Sequence, residues 1–180
     1  MIHAEPSPST MLLYVWLAMS FAISVTQLLV TTQPEWIVNR EQIQGLFALC
    51  TAWGCELREV TALVPLFFHA VGSLLFLLSA IALVPAIFCS ATAAPLQTIA
   101  HLQIAAAIFM GLCSFIVPIN MNDIGCTVPQ LLRSSVCRVG WAYAASSVCS
   151  LISICCPVLG KLASDDRRRY ALLHQGEHYL

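Results

Sequence analysis

Cysteine is the residue type in this 180-residue chain whose number and spacing point to chemistry. Four of the nine cysteines fall in polar stretches between apolar blocks: Cys50, Cys55, Cys126 and Cys137. Catalytic thiol exchange usually needs an exposed thiolate of low pKa in C-x-x-C spacing. The first pair is spaced Cys-x4-Cys instead, which favours a structural disulfide. The alternative is a membrane thiol oxidoreductase that generates disulfides with a quinone, but no basic residue within an apolar block indicates a quinone site.

The remaining polar residues do not form a pattern typical of catalysis. No Asp, Glu, Lys or Arg lies at the centre of an apolar block, and such a charge is the usual marker of an ion or proton pathway. His69 and His101 lie near block ends, where an imidazole is ordinary. The net charge of −1 gives no indication of the basic surface that nucleic-acid binding requires. We therefore expect neither an enzyme nor a cofactor, and no pump, coupled transporter or channel formed by this chain alone.

Composition and block length predict an integral membrane protein. Hydrophobic residues make up 59% of the chain and charged residues 9%, whereas soluble domains are roughly a quarter charged. Each apolar block can cross a hydrocarbon layer of about 30 Å as a helix. The predicted spans of a single domain, 1–180, are about 11–32, 62–89, 97–118 and 138–161. The first is expected to be a retained helix, because no Lys or Arg precedes it and it exceeds a usual signal-peptide core.

The orientation of the spans depends on the basic residues and on the cysteines. Lys161 and the cluster 167–169 lie at and after the end of the last span. Four Arg residues lie in or directly beside the loops 33–61 and 119–137: Arg40, Arg58, Arg133 and Arg138. Counting basic residues therefore leaves the orientation open. Paired loop cysteines persist only in an oxidising compartment, which places both loops outside or in a lumen. We expect both termini, including the tail 162–180, in the cytosol.

Small residues at four-residue spacing predict close helix packing in the third and fourth spans. Contact between two apolar helices in lipid lowers the free energy only slightly unless their backbones approach closely. The third span has Ala107 and Gly111 one turn apart, and the fourth has Ala142, Ser146 and Ser150 at successive four-residue steps. We expect these two stripes to pack the third helix against the fourth. Four of their residues are also candidates for contact with a partner: Ala107, Gly111, Ala142 and Ser146.

The first loop contains the pattern of a small β-sheet. Pro34 biases Gln33 away from helix, and the following 36–38 segment favours a strand. A second strand is predicted over 45–50. Cys50 and Cys55 bracket four residues that suit a hairpin turn, with Gly54 able to adopt a positive φ. Facing hairpin positions have the separation that a disulfide requires.

These residues resemble a known pattern. The signature consists of Trp36, Gly45, Leu46, Phe47, Cys50 and Cys55. It is similar to the W…GLW…C…C signature of claudin-type tetraspans, with Phe47 replacing the last Trp. Within that superfamily the chain more closely resembles the lipoma HMGIC fusion partner-like (LHFPL) tetraspans, which favour a Q-P-x-W-I entry, as in 33–37 here, and a G-L-F/W-x-x-C strand.

The second half of the chain extends this resemblance. Residues 102–107, followed by Gly111, are similar to the L-Q-L-A-A-A…G-C third helix of the LHFPL family. The segment 137–143, which includes Trp141, resembles C-x-I-R-W-A-Y, although Gly140 replaces the usual Arg. The resemblance implies that the second loop is closed by a disulfide between Cys126 and Cys137. It also implies an all-α four-helix transmembrane bundle with a small extracellular β-sheet from the first loop.

The resemblance implies an auxiliary function. LHFPL-type proteins bind, traffic or stabilise channel or receptor complexes in the plasma membrane, without enzymatic activity. Trp53 at the predicted hairpin tip is a candidate partner anchor, because Trp is enriched at binding hot spots, or else a membrane anchor. Trp36 is expected to be structural, buried between the sheet and the helices.

A claudin-like junction component is the alternative function. It would use the first loop, whose charged residues sum to about −2, for adhesion or self-association. In addition, the apolar terminal residue Leu180 could enter the carboxylate-binding pocket of a cytosolic PDZ protein.

Overall fold

The computed structural model describes residues 8–57, 63–88, 94–119, 126, 128–133 and 137–177. Its first three long helices are α1 (Pro8–Thr31), α2 (Val64–Phe88) and α3 (Ala94–Ile119). A short helix, α4 (Val128–Arg133), precedes two consecutive helices, α5 (Trp141–Ser153) and α6 (Cys155–Glu177). The strands are β1 (Ile37–Asn39), β2 (Gln42–Gln44), β3 (Ala48–Thr51), β4 (Gly54–Leu57) and β5 (Cys137–Val139).

Four helical segments are long and apolar enough to cross a membrane, as the sequence predicts. They are Thr10–Thr31, Val64–Phe88, Ala94–Ile119 and the combined α5–α6 segment Trp141–Arg169, with mean hydropathy between 1.8 and 2.4. Lipid cannot hydrogen-bond an exposed backbone, so segments of this composition are stable in a bilayer only as helices. The chain is therefore a multi-pass membrane protein, with four spans among the residues that the structure describes. The third helix begins at Ala94 rather than at the predicted position 97.

Proline interrupts the fourth span. Pro157 has no N–H, so the carbonyl of Ser153, four residues earlier, loses its usual helical partner. At this point Ile154 adopts a turn, and its N–H donates to the Leu151 carbonyl at 3.3 Å. The helix resumes at Cys155 and continues to Glu177. Most of the predicted tail, 162–180, is thus a helical extension of the fourth span.

The extension is attached to the neighbouring helices by arginine. The Arg167 guanidinium donates to the carbonyls of Ala86 and Ile87, both at 3.4 Å, at the C-terminal end of α2. Arg168 donates to Oε1 of Gln97 near the start of α3, at 2.8 Å. A cation at a helix C-terminus offsets the partial negative charge of the unpaired carbonyls. We call this end of the bundle the tail end.

The five strands form one antiparallel sheet in the order β4-β3-β2-β1-β5. Strand β5 comes from the second loop and pairs with β1, with Ile37 opposite Val139 and Asn39 opposite Cys137. The prediction of a sheet built from the first loop alone therefore needs correction, because both loops contribute. The prediction of one strand over 45–50 also needs correction: β3 starts at Ala48, and β2 precedes it. Since β1 and β5 are paired, both loops lie at one end of the bundle, which we call the sheet end.

Two clusters of buried side chains fill the bundle. The cluster toward the tail end includes Trp16, Phe76, Leu83, Leu96 and Met110. The cluster at the sheet end joins helix residues to strand residues: Val30, Trp36, Ile37, Leu46, Cys113, Val117, Cys126, Cys137 and Ala142. The second cluster is what attaches the sheet to the helices.

Small residues do allow close helix contacts, but at positions other than those predicted. A Cβ added to Gly72 of α2 would lie 2.9 Å from the Met110 nitrogen and 3.0 Å from the Ala106 carbonyl oxygen of α3. A Cβ added to Gly111 would meet no atom within 4 Å. The predicted role of Gly111 in packing against the fourth helix therefore needs correction, because α3 turns Ala106 and Met110, not Gly111, toward its tightest neighbour.

Buried polar side chains also join the helices. Oγ of Ser146 donates to Oε1 of Gln27 at 3.0 Å, and Nε2 of Gln27 donates to the Ser146 carbonyl at 3.2 Å. The Ala142–Ser146–Ser150 stripe thus contacts α1 through Gln27, a neighbour that the small-residue pattern did not predict. Closer to the tail end, Nε1 of Trp16 donates to Oε1 of Gln103 at 2.8 Å. Between apolar helices such paired groups stabilise a defined packing.

Candidate functional site

Trp36 attaches the sheet to the bundle. Its side chain is buried, and its indole N–H donates to the Val30 carbonyl at the end of α1, at 2.9 Å. The ring lies edge-on to His69 of α2, with centroids 5.2 Å apart, and 6.3 Å from Tyr143 of α5. The prediction that Trp36 is buried between sheet and helices is confirmed. One side chain therefore contacts α1, α2 and α5 immediately before β1 begins.

His69 is held in one tautomer by its neighbours. The Thr31 hydroxyl donates to the Gln27 carbonyl at 2.6 Å, so its oxygen accepts from Nε2–H of His69 at 2.8 Å. The Gln27 carbonyl, 3.3 Å from the same nitrogen, is also an acceptor. Nδ1 has no hydrogen-bond partner among the described residues. The fully buried imidazole supports the edge of Trp36, and the sequence indicated this only as a histidine near a span end.

Glycine permits two close backbone approaches beneath the sheet. At Gly140, a Cβ would collide with the Glu35 carbonyl, and the Gly140 N–H donates to the Trp36 carbonyl at 2.9 Å. At Gly45, a Cβ would lie 3.1 Å from the Pro34 Cα. Gly140 therefore lets the start of α5 approach the segment that leads into β1.

The β3–β4 hairpin is the most exposed part of the described chain. Cys50 and Cys55 are directly opposed and form a disulfide, as predicted. Gly54 has φ +146°, which a residue with a Cβ rarely adopts, and the Thr51 hydroxyl accepts from the Trp53 N–H at 3.3 Å. Trp53 is 98% exposed at the tip. The predicted hairpin is confirmed, and it presents its indole without support from the bundle.

The second disulfide lies in the core. Cys126 and Cys137 are bonded to each other, as the family resemblance implied. Both are buried in the cluster at the sheet end, and Cys137 is the first residue of β5. This disulfide therefore fixes the second loop to the sheet, whereas the first one closes an exposed turn.

The two faces of the sheet differ in burial. Neighbouring residues of a strand point to opposite faces, and residues paired across strands share a face. One cross-strand row contains Ile37 and Gln44, which are 0% and 2% exposed and contribute to the packing beneath the sheet. The opposite row runs through Arg138, Val38, Ile43, Cys50 and Cys55. We call the face that carries this second row the outer face.

A groove of about 770 Å³ lies on the outer face. Val38, Ile43 and Cys50 form its floor, and the β1–β2 and β3–β4 turns form its sides. Two exposed arginines, Arg40 in the first turn and Arg138 on β5, line it together with Trp53. Neither arginine forms an ion pair with another residue in the part of the chain that the structure describes. The sequence indicated these arginines only as loop charges, because nothing local shows that β5 brings Arg138 beside β1.

The other predicted site residues fall into two groups. Leu46 is buried beneath the sheet and Phe47 packs partly against the same cluster. Trp141 is 51% exposed at the first turn of α5, a position typical of an interfacial aromatic. Ala107 and Gly111 are half-buried and remain candidates for a partner contact.

Two of the predicted partner contacts need correction. Ala142 and Ser146 are 0% and 1% exposed. Because their surfaces are covered by this chain's own helices, they are not accessible to a partner.

The described residues contain no group of three or more His, Cys, Asp or Glu side chains placed to hold a metal ion. The site consists of a groove with two cationic side chains, an apolar floor and an exposed indole. No known protein-family model matches the chain, and no curated protein is significantly similar to it. The LHFPL resemblance therefore rests on the residues quoted for it.

Proposed function

We propose that this chain is a non-enzymatic, LHFPL-type tetraspan auxiliary subunit that binds, traffics or stabilises a channel or receptor complex in the plasma membrane. Both termini would be cytosolic and the sheet extracellular. The observation that carries the proposal is the exposed hairpin that the sheet presents at the sheet end. A sheet attached to three helices by Trp36 presents Trp53, 98% exposed, on a disulfide-closed hairpin.

The energetics of a protein interface favour this arrangement. Exposed tryptophans and arginines are the residues most enriched among binding hot spots. Holding them on a rigid support reduces the conformational entropy lost on binding. The two disulfides and the paired strands provide such a support, while the charge-poor spans anchor it in lipid.

Co-purification from native membrane in mild detergent tests the proposal. Recovery of a stoichiometric channel or receptor subunit with the wild-type chain is expected. Trp53→Ala should reduce that recovery about tenfold, which corresponds to the loss of a hot-spot residue. Phe67→Ala, which removes a lipid-facing aromatic 62% exposed on α2, is the matched control and should leave recovery unchanged. Failure to recover any membrane-protein partner with the wild-type chain would contradict the auxiliary function.

A claudin-like role in cell junctions is the second candidate, and one observation favours it. Strand β4 is exposed at all four of its positions and forms an edge of the sheet. An exposed edge can pair with the edge of another chain. Cysteine crosslinking between copies at Glu56 would detect such self-association, and crosslinked copies without any other partner would favour this role.

The proposed PDZ contact concerns Leu180, which lies outside the described residues. Removal of that residue should abolish binding to a PDZ domain if the tail is the ligand. Unchanged PDZ capture by the truncated chain would contradict this part of the proposal.

A further inference from the structure

We propose that the groove on the outer face of the sheet binds a carboxylate-bearing extracellular segment of a partner membrane protein. Arg40 and Arg138 would hold an Asp or Glu side chain, and Trp53 would cover an adjacent apolar side chain. The inference deepens the proposed function, on which it depends only for the kind of protein that supplies the segment.

The charge of the groove favours an acidic ligand. The groove is lined by two arginines and a single acidic residue, Glu41, which leaves a formal net charge of +1. The arginines come from different parts of the chain, one from the β1–β2 turn and one from β5, and both are exposed. Neither guanidinium has an ionic partner among the described residues. Each is therefore available to a carboxylate, which a guanidinium binds in bidentate geometry.

Apolar surface complements the charges. Val38 and Ile43, both half-buried, form the floor together with Cys50. Trp53 stands at the side with nearly all of its surface free. When a ligand covers the apolar floor, water leaves the space around it, and charge-assisted hydrogen bonds there become stronger. The groove therefore suits a segment in which an acidic residue lies beside an aromatic or branched aliphatic residue.

The position of the groove favours a protein segment over a lipid headgroup. The row of the sheet that includes Ile37 and Gln44 is buried against the bundle cluster, and the groove occupies the opposite face. Its floor therefore points away from the helices that lie in the bilayer. A peptide segment can approach this face from the aqueous side, whereas a lipid phosphate would have to leave its leaflet.

The test uses the purified full chain in lipid nanodiscs and a displayed library of short random peptides. We expect selected peptides to contain Asp or Glu beside an aromatic or branched aliphatic residue. The double variant Arg40→Glu/Arg138→Glu should bind these peptides at least about tenfold more weakly. The variant Arg169→Glu, at the tail end, introduces the same kind of charge change and should bind as the wild type does.

Three results would overturn the inference. They are selection of no peptide or of basic peptides, binding that is unaffected by the double variant, and capture of lipid rather than peptide by a photoreactive residue placed at Ala52 in the groove. Because the selection requires no cellular partner, its outcome is separate from that of the proposed function. Acidic peptides bound by a chain that recovers no channel or receptor subunit would support the groove and contradict the auxiliary function.

Discussion

A buried indole needs an acceptor for its N–H, and Trp36 has one in the Val30 carbonyl at 2.9 Å. Its ring also lies against the imidazole of His69 and near the phenol of Tyr143. Trp53, in contrast, is almost wholly exposed. Trp36 and Trp53 therefore differ in environment: the first is packed between the sheet and the helices, and the second is open to the partner that we propose.

Replacing Trp36 by Phe should lower the free energy of unfolding by about 1–3 kcal/mol, because the Val30 carbonyl loses its donor and part of the ring volume becomes a cavity. Trp53→Phe is the matched control and should change that free energy by less than about 0.5 kcal/mol. Unfolding in detergent mixtures, followed by helical circular dichroism, measures both. Equal effects of the two substitutions would show that Trp36 does not hold the sheet to the bundle.

The helices are packed most closely where a glycine faces a backbone. Gly72→Ala should lower the free energy of unfolding by about 1–3 kcal/mol through overpacking, because its Cβ would lie 2.9 Å from the Met110 nitrogen. Gly111→Ala is the matched helical control. Its Cβ would enter open space, so no loss is expected, and the higher helix propensity of Ala should raise the free energy of unfolding by up to about 1 kcal/mol. The same unfolding titration compares them, and greater damage from Gly111→Ala would refute this account of α2–α3 packing.

The two disulfides should differ in their contribution to the sheet. The Cys126–Cys137 disulfide spans 11 positions and is buried, whereas Cys50–Cys55 spans 5 and closes an exposed hairpin. Cross-linking a longer loop removes more entropy from the unfolded chain. We expect Cys126→Ser/Cys137→Ser to cost about 3 kcal/mol and to release β5. Cys50→Ser/Cys55→Ser should cost less.

Protease sensitivity of the second loop, together with unfolding titrations, distinguishes the two double variants. A second loop that stays protected in Cys126→Ser/Cys137→Ser, with unfolding free energy near the wild-type value, would mean that strand pairing alone holds β5 in place.

The topology of the bundle follows from strand pairing between its loops. Since β1 and β5 share a sheet, an even number of spans must separate them, and the start of α1 and the tail end of the bundle are expected on the opposite side of the membrane. With the sheet extracellular, as we propose, epitope tags at the two termini should become accessible only after permeabilisation, and tags at Ala52 should be accessible in intact cells. Tags that report opposite sides for the two termini would contradict both the topology and the LHFPL proposal.

The sequence could predict those features that depend on local chemistry. Block length and low charge determine four spanning helices, because an unpaired backbone is costly in lipid. The Cys-x4-Cys spacing and Gly54 determine the hairpin. The disulfide joins two residues that face each other across the turn, and Gly54 adopts the positive φ, so both features depend on only six consecutive residues. For the same reason the exposed position of Trp53 could be predicted, as could the burial of Trp36 behind a proline-led strand.

Only the tertiary structure decided which distant segments meet. Periodicity shows that Ser146 lies on a small-residue stripe, but it does not show that the stripe faces Gln27 of α1 rather than the third helix. Likewise, three residues of the second loop carry no signal that they complete a sheet begun by the first loop. The groove with Arg40 and Arg138 exists because of that pairing. Such contacts depend on the fit of side chains across long chain separations, and a linear pattern does not encode that fit.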